Sequence, residues 1–265
     1  MLLKDKTAVI HGGGGAIGGA MARAFAREGA RVFLAGRTKA KLDAVAADIR
    51  AAGGAAETAV VDVLDLDAVR AHAGGVVERS GRIDIAANAV GFLHVQGIPL
   101  EALSLEAFER PLQAYTRAHF IVAKVMGEIM GAQGSGVILT ISTPGSKVTF
   151  PGFLGYGTTC SAVESFSRIL AAELGGQGVR VVCLRPDAIP ETLDRSHVRE
   201  IFAPMAEQAG ARLEDMLEGR AQASTFLKRL PRLDDVAEAA AFYASDRAGA
   251  ATGVVVNLTG GSPLD

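Results

Sequence analysis

The sequence predicts a doubly wound α/β fold: a parallel sheet of seven strands with helices on both faces. Two observations carry this. Short β-branched runs alternate with alanine-rich helical runs from one end of the chain to the other, and a glycine-rich string lies between the first such strand and the first helix. No internal repeat, low-complexity tract or linker interrupts the alternation, so residues 1–265 are read as a single domain.

The elements follow in order. "TAVIHG" (7–12) reads as a buried strand, and "AIGGAMARAFAREGA" (16–30) as a helix with Met21, Ala22, Phe25 and Ala26 on neighbouring turns. "RVFLAG" (31–36) is a second strand, and "KAKLDAVAADIRAAGG" (39–54) an amphipathic helix stopped by two glycines. A third strand at 57–63, a helix at 65–80 and a fourth strand at 83–90 come next. A long helix fits 105–131 apart from Pro111; a fifth strand covers 136–142, a helix 157–175 and a sixth strand 179–186. A last helix (234–245) and a last strand (253–260) close the pattern. Right-handed crossovers between such units give a parallel sheet covered on both sides. Residues 187–230 break the rhythm with several charges, Pro190, Pro204 and helix-like pieces. They read as an insertion that covers the strand ends as a substrate lid, where ligands of open α/β sheets bind; an ordinary surface helical pair is the other reading.

Composition narrows the function. The chain is 49% hydrophobic and 21% charged, with a formal net charge of -2 and a pI near 6.2. Its basic residues are scattered, which argues against a nucleic-acid binder. Two cysteines exclude a disulfide scaffold and fit a reducing compartment. No apolar run reaches bilayer-spanning length and no leader pattern opens the chain, so a cytoplasmic protein without membrane association is expected. No metal site is expected.

"HGGGGAIGGA" (11–20) joins the first strand to the first helix. Glycines there let the backbone turn tightly and approach a pyrophosphate, while the helix start supplies open amides and a positive dipole end. At the end of the second strand, "AGRTK" carries no acid to bind adenine-ribose hydroxyls. Arg37, with Thr38 and Lys39 nearby, can instead fork onto a 2′-phosphate. NADP(H) is therefore expected over NAD(H); the other reading of Arg37 is a solvated turn residue.

The string "HGGGGAIG" resembles the TGxxxGxG turn of the short-chain dehydrogenase/reductase family, and the resemblance runs nearly end to end. "VVDV" (60–63), "ANAVG" (87–91), "ISTPG" (141–145), "YGTTCSAVESFSRILAAEL" (156–174), "VRVVCLRPDAI" (179–189) and "ATGVVVNLTGG" (251–261) are similar to successive family segments. The resemblance implies a Rossmann-type fold and dinucleotide contacts from Gly12, Gly14, Gly15, Ile17, Gly18, Asp62, Val63, Asn88, Ala89, Pro186 and Ile189, beside Arg37 and Thr38. Asp62 would contact the adenine, and Asn88 would hold the central sheet.

The family's proton donor carries over to Tyr156. Thirteen residues back, the serine position holds Thr143, which keeps a hydroxyl; Ser142 is a second candidate, turned the other way by strand alternation. The lysine position holds Cys160 and the relay-asparagine position holds Tyr115. A neutral thiol cannot replace an ammonium in lowering a phenol pKa. Further departures are His11, Ala16, Thr259 and Asp187, the last putting an anion near the nicotinamide end. His94, His119 and Lys147 lie on segments near the cleft and are read as loop, packing and solvated residues respectively, or as replacement proton carriers. Cys160 has no base beside it except the anion Glu164, so it reads as a small packing residue, and Cys183 as core.

The resemblance thus implies an oxidoreductase interconverting a carbonyl and an alcohol, and the apolar lid residues Phe202, Met205, Met216, Leu217 and Phe226 point to a small or medium, partly apolar substrate. The alternative is a dinucleotide-binding relative without efficient redox turnover, in a sensor or assembly role. It also implies a homo-tetramer or homo-dimer through the helices at 105–131 and 157–175, whose apolar residues Phe120, Val125, Met126, Phe166, Ile169 and Leu170 extend beyond one stripe.

Overall fold

A computed structural model describes residues 1–262 of the chain. Seven strands form one all-parallel sheet in the order β3-β2-β1-β4-β5-β6-β7. They are β1 (Thr7–His11), β2 (Arg31–Gly36), β3 (Ala55–Val60), β4 (Ile85–Asn88), β5 (Gly136–Ile141), β6 (Val179–Pro186) and β7 (Val254–Leu258). The helices are α1 (Ala16–Arg27), α2 (Lys39–Ala51), α3 (Leu66–Ser80), α4 (Leu105–Gln133), α5 (Leu154–Gly175), α6 (Val198–Gln208), α7 (Leu213–Ser224) and α8 (Leu233–Ala244). The chain winds outward from β1 to β3 and returns on the other side of β1 with β4. That reversal opens a crevice beyond the carboxyl ends of β1 and β4.

Strand alternation builds two apolar layers. In β1, Ala8 and Ile10 face the layer made with Met21 and Phe25 of α1, Leu42 and Ile49 of α2, and Val236 and Ala240 of α8. Val9 faces the opposite layer, with Val69 and Val76 of α3 and Ile121, Val122 and Met126 of α4. Each buried Leu, Ile, Val, Phe or Met side chain contributes about 1.5–3 kcal/mol, so two layers of this size hold the sheet rigid beneath the crevice.

Three boundaries differ from expectation for physical reasons. β3 ends at Val60 because Asp62 makes a local turn, its carboxylate accepting from the Leu64 amide and its carbonyl from Asp65. Asp62 and Val63 therefore leave the sheet at the crevice mouth. α5 begins at Leu154, before Tyr156, although Gly155 and Gly157 open it. A Cβ on Gly157 would lie 2.9 Å from the Gly145 carbonyl oxygen, so the glycine lets α5 close on the segment after β5. α4 runs unbroken through Pro111, sacrificing one backbone bond while its other flank packs.

The apolar residues expected on the outer faces of α4 and α5 divide. Val125 and Met126 are core, Phe166 and Leu170 are partly covered, and only Phe120 and Ile169 stand exposed. Between β6 and α8, the 187–230 segment has its own small cluster, in which Leu193, Ala206, Leu213, Leu217, Ala221 and Leu230 pack together. Among the described residues, no helix is long and apolar enough to cross a membrane, and no group of three or more His, Cys, Asp or Glu could hold a metal ion.

Candidate active site

The glycine turn after β1 is shaped for close approach. Gly12 has φ +78, and a Cβ there would meet the Ala89 carbonyl oxygen at 2.7 Å. A Cβ on Gly18 would lie 2.3 Å from the Gly12 carbonyl oxygen, so Gly18 seats α1 against the turn and does not itself face the crevice. The N-cap of α1 is Gly15, with no side chain capping the first turn. The amides of that turn face a cavity of about 1210 Å³ whose wall includes Gly12, Gly14, Gly15, Ala16 and Ile17. This bare helix start, reached only through glycine, fits a diphosphate.

The same cavity is lined at one end by Arg37, Thr38, Asp62 and Val63, and in the middle by Ala89, Pro186 and Ile189. Lys39 does not join Arg37; it turns along α2 to grip Asp43, with both oxygens at 2.7 Å. Lys41 takes its place on the wall, packed beside Gly14. Sequence reading missed Lys41, although its position four residues after Arg37, on the opening turn of a helix, was the available signal.

At the other end stand Tyr156, Thr143, Cys160 and Tyr115. The Thr143 hydroxyl lies 3.2 Å from the Cys160 sulfur, and Thr143 is the neighbour that acts to lower the Tyr156 phenol. Burial pushes the Cys160 thiol up to about 11, so it is neutral near pH 7. Burial, followed by the neighbouring Cys160 and Tyr115, raises the Tyr156 phenol well above its ordinary value; Thr143 opposes this. Tyr115 is pushed up to about 12 by burial, against the opposing bond to Phe92. Its hydroxyl accepts from the Phe92 amide at 3.1 Å and donates to the Phe92 carbonyl at 3.4 Å. The residue at the relay-asparagine position thus holds the loop after β4.

Several expected residues face elsewhere. The Ser142 side chain also reaches the cavity wall, but its hydroxyl is committed to a neighbouring network, 3.1 Å from Glu164 Oε1, to which it donates, and 3.3 Å from the Cys160 carbonyl oxygen. It serves a buried network in which Ser146 donates to Glu164 at 2.6 Å and Arg185 lies 3.4 Å from both Glu164 oxygens. Asn88 is buried off the cavity wall, its amide 3.2 Å from His119 Nδ1 and its oxygen accepting from the Val90 amide. His119 is buried, and burial lowers it to about 4. Lys147 is exposed, and Cys183 is fully buried in β6.

His94 is not a plain loop residue. Its ring stacks on Tyr156, centroids 3.7 Å apart and planes 11° from parallel. The anion of Asp187 is met by Arg220 of α7, whose Nη2 lies 2.8 Å from Oδ1. Burial raises the Asp187 carboxyl and Arg220 opposes the shift. Neither Arg220 nor Gln96, beside His94, carried any sequence signal; a long insertion and a loop bring them in.

The sheet order, the glycine turn at its switch point and the cluster around Tyr156 define a dinucleotide-binding oxidoreductase scaffold. A family profile described as Enoyl-(Acyl carrier protein) reductase matches residues 14–262. An uncharacterized oxidoreductase of Mycobacterium tuberculosis is 32% identical over 98% of this chain and 92% of its own length. The D-threitol dehydrogenase of Mycolicibacterium smegmatis is 30% identical over 98% of this chain and 93% of its own. A solved 7α-hydroxysteroid dehydrogenase, complexed with NADH and 7-oxo glycochenodeoxycholic acid, superposes with a TM-score of 0.84 at 25% identity, covering 98% of this chain and 94% of that one. The chain belongs to the short-chain dehydrogenase/reductase family.

Proposed function

We propose that this protein is an NADP(H)-dependent oxidoreductase that interconverts a carbonyl and an alcohol on a small or medium, partly apolar substrate, with Tyr156 as the proton donor. One observation carries the reading: the glycine turn, Arg37 and the Tyr156–Thr143 pair all line one continuous cavity. Bound there, a nicotinamide dinucleotide supplies the hydride. Gly12, Gly14, Gly15, Ala16 and Ile17 hold its diphosphate, while Asp62, Val63 and Ala89 flank the adenine side. Arg37, Thr38 and Lys41 favour a 2′-phosphate. Pro186 and Ile189 support the nicotinamide end, and Thr143 orients the substrate oxygen.

A phenol that keeps its proton is ready to give it to a carbonyl oxygen as negative charge develops there, whereas the reverse step needs the phenolate. Thr143 is the neighbour that eases that proton loss. The phenolate left after transfer takes its next proton from solvent. The 187–230 segment acts as the lid over this end, latched by Arg220 on Asp187 and walled by Phe202 and His197. Exposed Phe120 and Ile169 suit a homo-tetramer, in a cytoplasmic setting; light scattering of the purified chain tests the assembly.

Cys160 supports a second reading, a dinucleotide binder with little turnover. Fluorescence titration with NADPH and NADH, followed by turnover over a ketone and alcohol panel, separates the two. The oxidoreductase reading expects tighter NADPH binding and wild-type turnover that Tyr156→Phe abolishes. Binding without turnover until Cys160→Lys is introduced would establish the second reading instead.

A further inference from the structure

We propose that His94 is the positioning residue for Tyr156, holding the phenol ring by face-to-face stacking in a chain whose lysine position carries a thiol. This rests on the reading of Tyr156 as the proton donor. The geometry is specific. The two rings are 3.7 Å apart at 11°, a contact that leaves the imidazole no room to tilt. Both imidazole nitrogens are engaged. Nδ1 lies 2.8 Å from the Phe92 carbonyl oxygen, which only accepts, so Nδ1 carries the proton. Nε2 lies 2.9 Å from the Gln96 amide nitrogen and accepts from it. His94 is therefore a neutral plate fixed on two sides, with Tyr156 on its face.

The plate is itself anchored. Tyr115 of α4 binds both the amide and the carbonyl of Phe92, the same carbonyl that receives the His94 proton. Tyr115 also approaches Tyr156 directly, centroids 6.2 Å apart. A chain of contacts thus runs from α4 through the loop after β4 to the first turn of α5. In it Tyr115 and His94 restrain the ring that an ammonium would otherwise orient through its hydroxyl.

The ionisable groups facing this pair are few. Tyr115 comes from α4, Cys160 from α5 with Glu164 behind it, and His197 from the start of α6. His94 stays neutral among them, since burial lowers it to about 4, with the Phe92 bond opposing and His197 assisting.

The test uses the intact protein and His94→Ala, His94→Phe and Gln96→Met. Removing the ring frees Tyr156 to leave its reactive pose, a misplacement that lowers kcat by about 10–100-fold with NADPH affinity unchanged. The same variant moves the alkaline limb of the pH–rate profile. His94→Phe, which keeps the plate, restores both, and Gln96→Met falls between. A second readout needs no turnover: the chain has three tyrosines and no tryptophan, so phenolate difference absorbance of the apoprotein resolves Tyr156 by comparison with Tyr156→Phe. In His94→Ala the Tyr156 phenolate forms at lower pH than in wild type, and in His94→Phe it does not.

Unchanged kcat, profile and phenolate titration in His94→Ala overturn the proposal, as does His94→Phe behaving like His94→Ala. If His94→Ala does not fold, His94→Phe and Gln96→Met decide by the same criteria. Turnover that survives Tyr156→Phe overturns the proton-donor reading itself. Loss in Tyr156→Phe with none in His94→Ala overturns only the role of His94.

Discussion

The two ends of the crevice differ in what builds them. At the diphosphate end, the requirement is on the backbone. Gly12 and Gly18 have carbonyls where a Cβ would go, so no other residue fits without moving the turn. At the reactive end, the wall is built from side chains, with Tyr156, Thr143, Cys160 and Tyr115 facing one space. Backbone geometry admits no partial substitute, whereas a proton donor can be oriented by more than one set of neighbours. The difference makes dinucleotide binding and proton delivery demands that can be tested separately within one cavity.

The sharpest way to break this comparison is at Tyr156. Tyr156→Phe is expected to lower kcat by about 10²–10⁴-fold while NADPH titration is unchanged. Gly12→Val should abolish NADPH binding, and turnover with it, in a chain whose circular dichroism still reports the α/β fold. If Tyr156→Phe loses NADPH binding as well as turnover in a folded chain, the two ends are not separable.

Next in size is the buried pair behind the reactive end. Arg185 and Glu164 are almost wholly out of water, and Glu164 also holds Ser142 and Ser146 on either side of Thr143. Glu164→Ala removes the buried carboxylate that Ser142, Ser146 and Arg185 all approach and should cost about 1.5–3 kcal/mol in denaturant unfolding. A change below about 1 kcal/mol in the single variant would mean that the pair does not hold the segment carrying Thr143.

At the adenosine end, Arg37→Ala with Lys41→Ala should weaken NADPH about tenfold and leave NADH within about twofold. Equal weakening of both dinucleotides would show these side chains to be general electrostatic contacts.

A pH dependence of stability comes from four buried rings. Burial lowers His11 to about 3, and His72, His94 and His119 to about 4, from 6.5. Above pH 6.5 these groups are neutral whether folded or not, so their full contribution to stability is present. As pH falls from 6.5 towards 4, the unfolded chain takes up protons that the folded one refuses, and stability declines. Thermal midpoints should therefore drop steadily from pH 7 to pH 5. Mutating His11, which has no hydrogen-bond partner on either ring nitrogen among the described residues, should flatten the slope most. A midpoint that rises as pH falls across this window would contradict the burial of these rings.

Much of the fold was legible because its causes are local. Period-two and helical spacing of apolar residues, and glycines between them, specify strands, helices and the first turn without reference to distant residues. The site was legible only where it is written as a contiguous segment. Arg37, Asp62, Thr143 and Tyr156 were found this way, since each sits at a strand end or a helix start. Ser142 is held by the buried Glu164 carboxylate, a partner that lies a strand and a helix away. Asp62 lay beyond its strand because a side-chain turn competes with the ladder.

By itself, the sequence determined the order of elements, the parallel sheet and the place of the phosphate turn, for these follow from backbone propensity and apolar period. Only the tertiary structure decided which groups surround Tyr156. His94 and Tyr115 reach it from a loop and a helix dozens of residues away, Gln96 braces His94, and Arg220 reaches Asp187 from the 187–230 segment. Such contacts depend on how loops pack over the strand ends, which no local pattern encodes.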